Sequence, residues 1–273
     1  MGIHFSASFR MDSQRGFTII ETMLVLAVTG LLIVTLLVGV GASINNQRYK
    51  DSVVSLKSLL QSQYAMANDV TNTRNANWTC NSSAQPVAVS NGTAPGQSDC
   101  VFIGRYLSIV DGAIASATII GYENSTAAAP NDIAEINNNY TLGISTDSIN
   151  TSTMEWGSAI AWPTSGTEAK SPTKPRSIAI LVLRSPSSGT SYTFTSDTVY
   201  DINTITSASL KAMLVVSTNA VPGQMQRTLC VDANGATVPE KIAVYIGQAA
   251  SDASAIETRT NATTQSLGGD TKC

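Results

Sequence analysis

Glu21 has the most unusual setting of any ionisable residue in the chain. It is the single charge in the apolar run FTIIETMLVLAVTGLLIVTLLVGVGASI, Phe17 to Ile44. A carboxylate in a bilayer helix costs roughly 2.5–3.5 kcal/mol at the helix centre on insertion scales, so an acid there is expected to have a cationic partner. The chemistry Glu21 points to is charge pairing. Four cysteines, Cys80, Cys100, Cys230 and Cys273, offer disulfide chemistry. Three pairings are open, and Cys80–Cys100 with Cys230–Cys273 is preferred because each closes one local loop, at about 3 and 4 kcal/mol of loop entropy. No Cys-x-x-Cys pair occurs and no metal site is expected, because the only histidine, His4, cannot complete a mixed zinc site. The same shortage of imidazole argues against a cysteine nucleophile.

The remaining polar residues announce little chemistry. Asp132, Glu135, Asp147, Glu155, Asp197 and Asp201 follow no liganding rhythm and read as solvated loop residues. Asp232-Ala-Asn-Gly235 resembles part of a calcium loop but lacks the downstream acid, and a hairpin turn is the better reading. Neither a glycine-rich phosphate loop nor a serine-nucleophile elbow is present, so no cofactor and no enzyme activity are expected. Lys170, Lys174 and Arg176 form the most basic stretch, and phosphate contacts from such a loop would bind DNA. Three charges are few, no aromatic residues interleave them, and a solvated loop is the favoured reading. Seven Asn-x-Ser/Thr sites begin at Asn77, Asn81, Asn91, Asn124, Asn139, Asn150 and Asn261. They would mark glycosylation only beside a suitable transferase.

The elements that position these residues follow from composition and periodicity. Of 273 residues, 13% are charged, against about 25% in an ordinary soluble domain, with a net charge of −3. The polar surface is therefore built from Ser, Thr, Asn and Gly, and there is no global basic field for nucleic acid. From Thr22 to Ile44 an uncharged helix would span roughly 35 Å, enough to cross a hydrocarbon core of about 30 Å. Arg10 and Arg15 ahead of it favour a cytoplasmic N-terminus and an outward C-terminal part. Val53, Leu56, Leu60, Tyr64 and Ala67 recur at three- and four-residue intervals, which predicts one helix from about residue 17 to 70, with a stop at Thr71-Asn72-Thr73. Strands are predicted at Val101–Val110, Ala117–Tyr122, Tyr140–Ile144, Ile178–Leu183, Tyr192–Phe194, Met213–Val216, Thr228–Val231 and Ile242–Ile246. Polar loops are expected around 82–99, 123–139 and 163–176, and a short helix is one reading of Asp201–Leu214.

QRGFTIIE carries a family resemblance. A glycine, a Phe, a short apolar run and a glutamate five places after the glycine resemble the class III signal of type IV pilins and pseudopilins. The resemblance implies that a prepilin peptidase cuts between Gly16 and Phe17 and methylates the new terminus on Phe17. Initiation at Met11 instead of Met1 would leave the compact leader MDSQRG; in either case His4 is lost on processing. Gly30 falls where helices of the family often have glycine, whereas Val38 stands in place of a common proline, with Gly39 and Gly41 nearby. The freed amine of Phe17 in a neighbouring subunit is then the natural partner of Glu21. The Cys230–Cys273 bridge would match the C-terminal disulfide loop of many pilins.

The expected fold is α+β and pilin-like: a long N-terminal helix whose second half packs on an antiparallel β-sheet domain. The parts are a leader, 1–16; an apolar transmembrane and assembly helix, 17–45; its amphipathic continuation, 46–72; and a β-rich extracytoplasmic domain, 73–273. The expected partners are prepilin peptidase, other pilin subunits, the pilus or secretion assembly machinery and the cytoplasmic membrane. A minor pilus subunit is the leading reading. A type II secretion pseudopilin, or a pilus-displayed DNA-binding or adhesion module, is the alternative. Anchoring in the cytoplasmic membrane would precede display in a surface pilus or pseudopilus.

Overall fold

The computed structural model describes residues 16–69, 78–89, 98–214, 226–236, 238–260 and 271–273. Residues 1–15 of the leader, the stop at Thr71–Thr73, residues 215–216 of one expected strand, and Asn77, Asn91 and Asn261 lie outside them. The chain divides into two compact units, residues 1–44 and 45–273.

One helix, α1 (Ile19–Asn68), contributes to both units. Within 45–273 its buried face holds Val53, Leu56, Leu60, Tyr64 and Ala67, the stripe expected from the three- and four-residue spacing, together with Tyr49, Ser52 and Gln63. The strands are β1 (Trp78–Cys80), β2 (Pro86–Ala88), β3 (Cys100–Val110), β4 (Ala113–Glu123), β5 (Tyr140–Ile144), β6 (Asn150–Thr153), β7 (Ala159–Ala161), β8 (Ser177–Arg184), β9 (Ser191–Ser196), β10 (Arg227–Asp232), β11 (Ile242–Ile246) and β12 (Ile256–Thr260). Among the described residues there are also two short α-helices, α2 (Asp132–Asn139) and α3 (Ser207–Ala212).

The β-domain is antiparallel, as expected, and is divided into two main sheets and a ribbon. One sheet has the order β5-β4-β3-β8-β9, with β6 beside the other half of β4; the second runs β12-β11-β10-β7; β1 pairs with β2. The α1 stripe packs against Leu107, Ile109, Ile178 and Ile180 of the larger sheet and Leu229, Val231 and Val244 of the smaller. On the opposite face of the larger sheet, Tyr106, Ile119, Leu181 and Phe194 meet Ile136 of α2 and Leu210 of α3. A strand covered on both faces reads as a continuous apolar run, which is why SIAILVLR in β8 lacks polar alternation.

Local chemistry sets the connections. In β3 a bulge falls between Phe102 and Gly104, and a side chain on Gly104 would collide with the backbone of Val182 and Leu183 in β8. Beyond β10 the expected turn forms. Asn234 and Gly235 take φ of 50° and 85°, Ala236 N–H donates to Ala233 O at 3.2 Å, and Asn234 N–H donates to the Asp232 carboxylate at 2.9 Å.

Three sequence expectations need correction. Residues 132–139, expected in a polar loop, form α2, capped by the Asn131 side chain, which accepts from Ala134 N–H at 2.9 Å. Met213 and Leu214, expected to begin a strand, lie in the turn after α3 and are buried on its side of the larger sheet. Strands β1, β2, β6, β7 and β12 were not expected: they have three to five residues, and β6 and β12 are largely polar.

Three tyrosines anchor the core by their hydroxyls. Tyr49 Oη accepts from Ile242 N–H at 2.6 Å and lies 3.2 Å from Val231 O, tying α1 to β10 and β11. Tyr64 accepts from Thr193 Oγ1 at 2.9 Å, and Tyr106 donates to Tyr200 O at 2.8 Å. Burial pushes the Tyr64 phenol up to about 12, the Thr193 hydroxyl acting in the opposite sense; burial does the same to Tyr106, also to about 12, against Tyr200 N–H, which donates to its oxygen at 3.3 Å. An unfolded tyrosine ionises near 10, so the fold favours both neutral phenols. Their contribution is complete below pH 10 and is lost as pH rises through about 12. Denaturant titration should show stability falling steeply between pH 10 and 12, and Tyr64→Phe should make that fall shallower. An unchanged slope in the variant would contradict the assignment.

Candidate functional site

Gly16, Phe17 and Thr18 precede α1 without regular secondary structure. Thr18 caps the helix: its Oγ1 accepts from Glu21 N–H at 3.2 Å, and Thr18-x-x-Glu21 has the spacing of a capping box. The carboxylate of Glu21 lies in the first turn, where the helix dipole favours an anion. Threonines in the run satisfy their own hydroxyls: Thr22 donates to Ile19 O at 2.9 Å, Thr29 to Val25 O at 2.7 Å and Thr35 to Leu32 O at 2.9 Å. The Glu21 carboxylate has no hydrogen bond or ion pair among the described residues. It is the one charged group of this run, and it still needs a partner.

The run has no cover. Phe17 is 77% exposed, the large apolar residues from Ile19 to Ile44 are exposed, and none of the most apolar window, of mean hydropathy 2.8, is buried. By length and composition α1 can cross a membrane. Side chains added at Gly30, Gly39 or Gly41 would meet nothing within 4 Å. Glycine in a helix interior costs up to about 1 kcal/mol relative to alanine, and nothing within this unit requires it at those places.

The cysteines are joined as Cys80–Cys100 and Cys230–Cys273, with Cα separations of 5.8 and 5.5 Å. The first ties β1 to the start of β3. The second fastens the terminal residues to β10, and Lys272 O accepts from Thr164 N–H at 2.8 Å beside it.

Lys170, Lys174 and Arg176 do not form one exposed patch. Arg176 is 1% exposed, which corrects its reading as a solvated loop residue. Its Nη1 donates to Ala161 O at 3.0 Å and to Thr228 O at 2.5 Å, bridging β7 and β10. Glu168 Oε1 lies 4.0 Å from Arg176 Nη2 and accepts from Arg227 Nη1 at 2.8 Å, while Oε2 accepts from Thr228 N–H at 2.8 Å. Burial pushes the Arg176 guanidinium down to about 10, with Glu168 and Asp197 holding it up. Lys174 is bound to Asp232 at 2.8 Å, and Lys170 sits 3.5 Å from the Trp162 ring centroid and 3.8 Å from Asp197. Trp162, too distant in sequence to count as interleaved, is stacked by both Lys170 and Arg176.

Of the scattered acids, Asp132 and Glu135 lie in the first turn of α2, where they accept from Ser188 and Ser187. No group of three His, Cys, Asp or Glu suited to a metal ion occurs among the described residues. Among the glycosylation candidates, Asn139 is 6% exposed and donates to Ala127 O at 2.7 Å, which removes it from the accessible set.

Residues 11–37 match the family described as the prokaryotic N-terminal methylation motif, the type IV prepilin signature. No curated protein and no solved structure matches the chain. The motif, the long helix and the antiparallel domain that follows it in the chain fit a type IV pilin- or pseudopilin-like protein, and the motif suggests a structural subunit. The motif implies processing by prepilin peptidase and assembly with other pilins, and the apolar helix fits membrane anchoring beforehand.

Proposed function

We propose that the chain is a minor subunit of a type IV pilus, cut between Gly16 and Phe17, methylated on Phe17, and assembled through the apolar half of α1. One coincidence carries this reading. The segment bearing the methylation motif also holds the apolar run whose surface is uncovered and whose only charge, Glu21, has no partner among the described residues. Leaving lipid for a bundle of like helices exchanges one apolar contact for another, so extraction into a filament is thermodynamically feasible. In that bundle the Phe17 amine of a neighbouring subunit neutralises Glu21, and a misregistered subunit leaves the acid unpaired. Gly30 and the nearby small residues let neighbouring helices approach closely.

A type II secretion pseudopilin uses the same N-terminal chemistry, so location separates the two. Immuno-electron microscopy should label surface filaments, which should be lost or reduced on deletion. Label confined to the envelope, with filaments intact and secretion lost, would favour the pseudopilin. Intact filaments with lost adhesion or DNA capture would favour a displayed binding module, a reading that the burial of Arg176 and the pairing of Lys170 and Lys174 do not support.

A further inference from the structure

Among the described residues two arginines are buried by nine-tenths or more, and they differ in one respect. Arg176 has Glu168 within 4.0 Å. Arg105 of β3, 8% exposed, has no carboxylate within ion-pairing range among the described residues. Its Nε donates to Gln63 Oε1 at 3.1 Å and its Nη1 to Thr118 Oγ1 at 2.7 Å, so two of five donors are engaged, both by neutral groups. Neutral acceptors offset little of the cost of desolvating a cation, whereas an anion would offset much of it. Burial alone pushes the Arg105 guanidinium below its ordinary value.

Arg105 lines a groove of about 690 Å³ between the outer face of α1 and the β4–β6 edge, within the range of small-molecule sites, roughly 300–1,000 Å³. Ser58, Ser116, Asn150 and Ser152 line it with groups that both donate and accept hydrogen bonds, while Ser55 donates to Glu155 Oε1 at 3.0 Å and Ser62 to Leu59 O at 2.7 Å. Val54 and Met66, two of the few large apolar residues exposed in this unit, add C–H surface. Asp51, the groove's only acid, is about 18 Å along α1 from Gln63 and does not neutralise Arg105.

We infer that this groove binds a carboxylated saccharide, the carboxylate on Arg105 and the ring hydroxyls on the serine-rich wall. A guanidinium presents a planar fork matched to a carboxylate, and hydroxyl-bearing walls suit a ligand whose own hydroxyls give and take hydrogen bonds. Gln63, 5% exposed, is the positioning residue that holds Arg105 from α1. The site does not depend on how the subunit is assembled, and its failure would leave the pilus reading untouched.

The test is titration of the full chain in detergent micelles with sodium glucuronate and, separately, with glucose, followed by ligand-observed NMR. One charge-assisted contact corresponds to about a tenfold difference in Kd, so glucuronate should bind at least that much more tightly than glucose. Ser58→Trp fills the groove from an exposed position and should raise the glucuronate Kd at least tenfold while leaving the Tm unchanged. Arg105→Lys should weaken binding as well. Equal binding of the two sugars, binding of neither, or an unchanged Kd in the Ser58→Trp variant would overturn the proposal. So would loss of self-association in that variant without any response to glucuronate, which would assign the groove to a second copy of the chain.

Discussion

Glu21→Ala is expected to cut incorporation into filaments by about ten- to hundredfold while the membrane pool stays at or above its wild-type level. The size follows from one charge-assisted hydrogen bond, about 1.5–3 kcal/mol, at about 1.4 kcal/mol per tenfold. The direction for the membrane pool follows from removing an acid from an apolar helix, which eases insertion. Glu21→Gln keeps the shape and loses the charge, so it should fail nearly as badly. Thr18→Ala supplies the control for helix capping: Thr18 Oγ1 accepts from Glu21 N–H, and loss of that cap costs about 1 kcal/mol without touching the carboxylate. Quantitative blotting of sheared filaments against membranes reads all three variants. Normal assembly of Glu21→Ala would remove charge pairing from the account, and equal defects in Thr18→Ala and Glu21→Ala would reduce Glu21 to a capping residue.

Glu168→Ala should destabilise the unit formed by residues 45–273 by about 3–5 kcal/mol, the usual consequence of removing one member of a buried charge cluster. Two groups lose an acceptor and a third loses its nearest counter-charge. Arg227 loses a 2.8 Å ion pair, Thr228 N–H a 2.8 Å hydrogen bond, and Arg176, already fully buried, its nearest carboxylate. Arg176→Met placed in the Glu168→Ala background should recover part of the loss, because it withdraws the uncompensated cation. Denaturant titration gives both numbers. A single-variant effect under about 1 kcal/mol would place this cluster with exposed salt bridges, which contribute that little.

The prepilin-type motif was legible because its signal is local. Gly16, Phe17 and Glu21 stand within six residues of one another at the head of an apolar run, and no distant residue is needed to recognise them. The buried stripe of α1 was legible for the same reason, since helical spacing fixes one face whatever covers it. Strands with strong apolar runs were also found, β5 and β11 to the residue. What escaped depends on partners far along the chain. Asn150–Thr153 is strand only because β4 offers it an edge, and Ile256–Thr260 because β11 does. Division into two sheets is set by pairings such as Val231 with Ile160, across 71 positions, which no local pattern encodes. Arg176 was misjudged because its acceptors, Ala161 O and Thr228 O, are backbone groups brought together by that pairing. Proline and lysine neighbours make the stretch look solvated. The Asn-rich end of α2 hid a helix whose start is marked by the Asn131 cap.

The central claim is that this chain works as a processed subunit, with the terminus created at Phe17. Mass spectrometry of the N-terminal peptide from assembled protein tests it most directly. The account predicts a peptide beginning at N-methylated Phe17, with Gly16 and everything before it gone. A terminus at Met1 or Met11 in the assembled protein would contradict it.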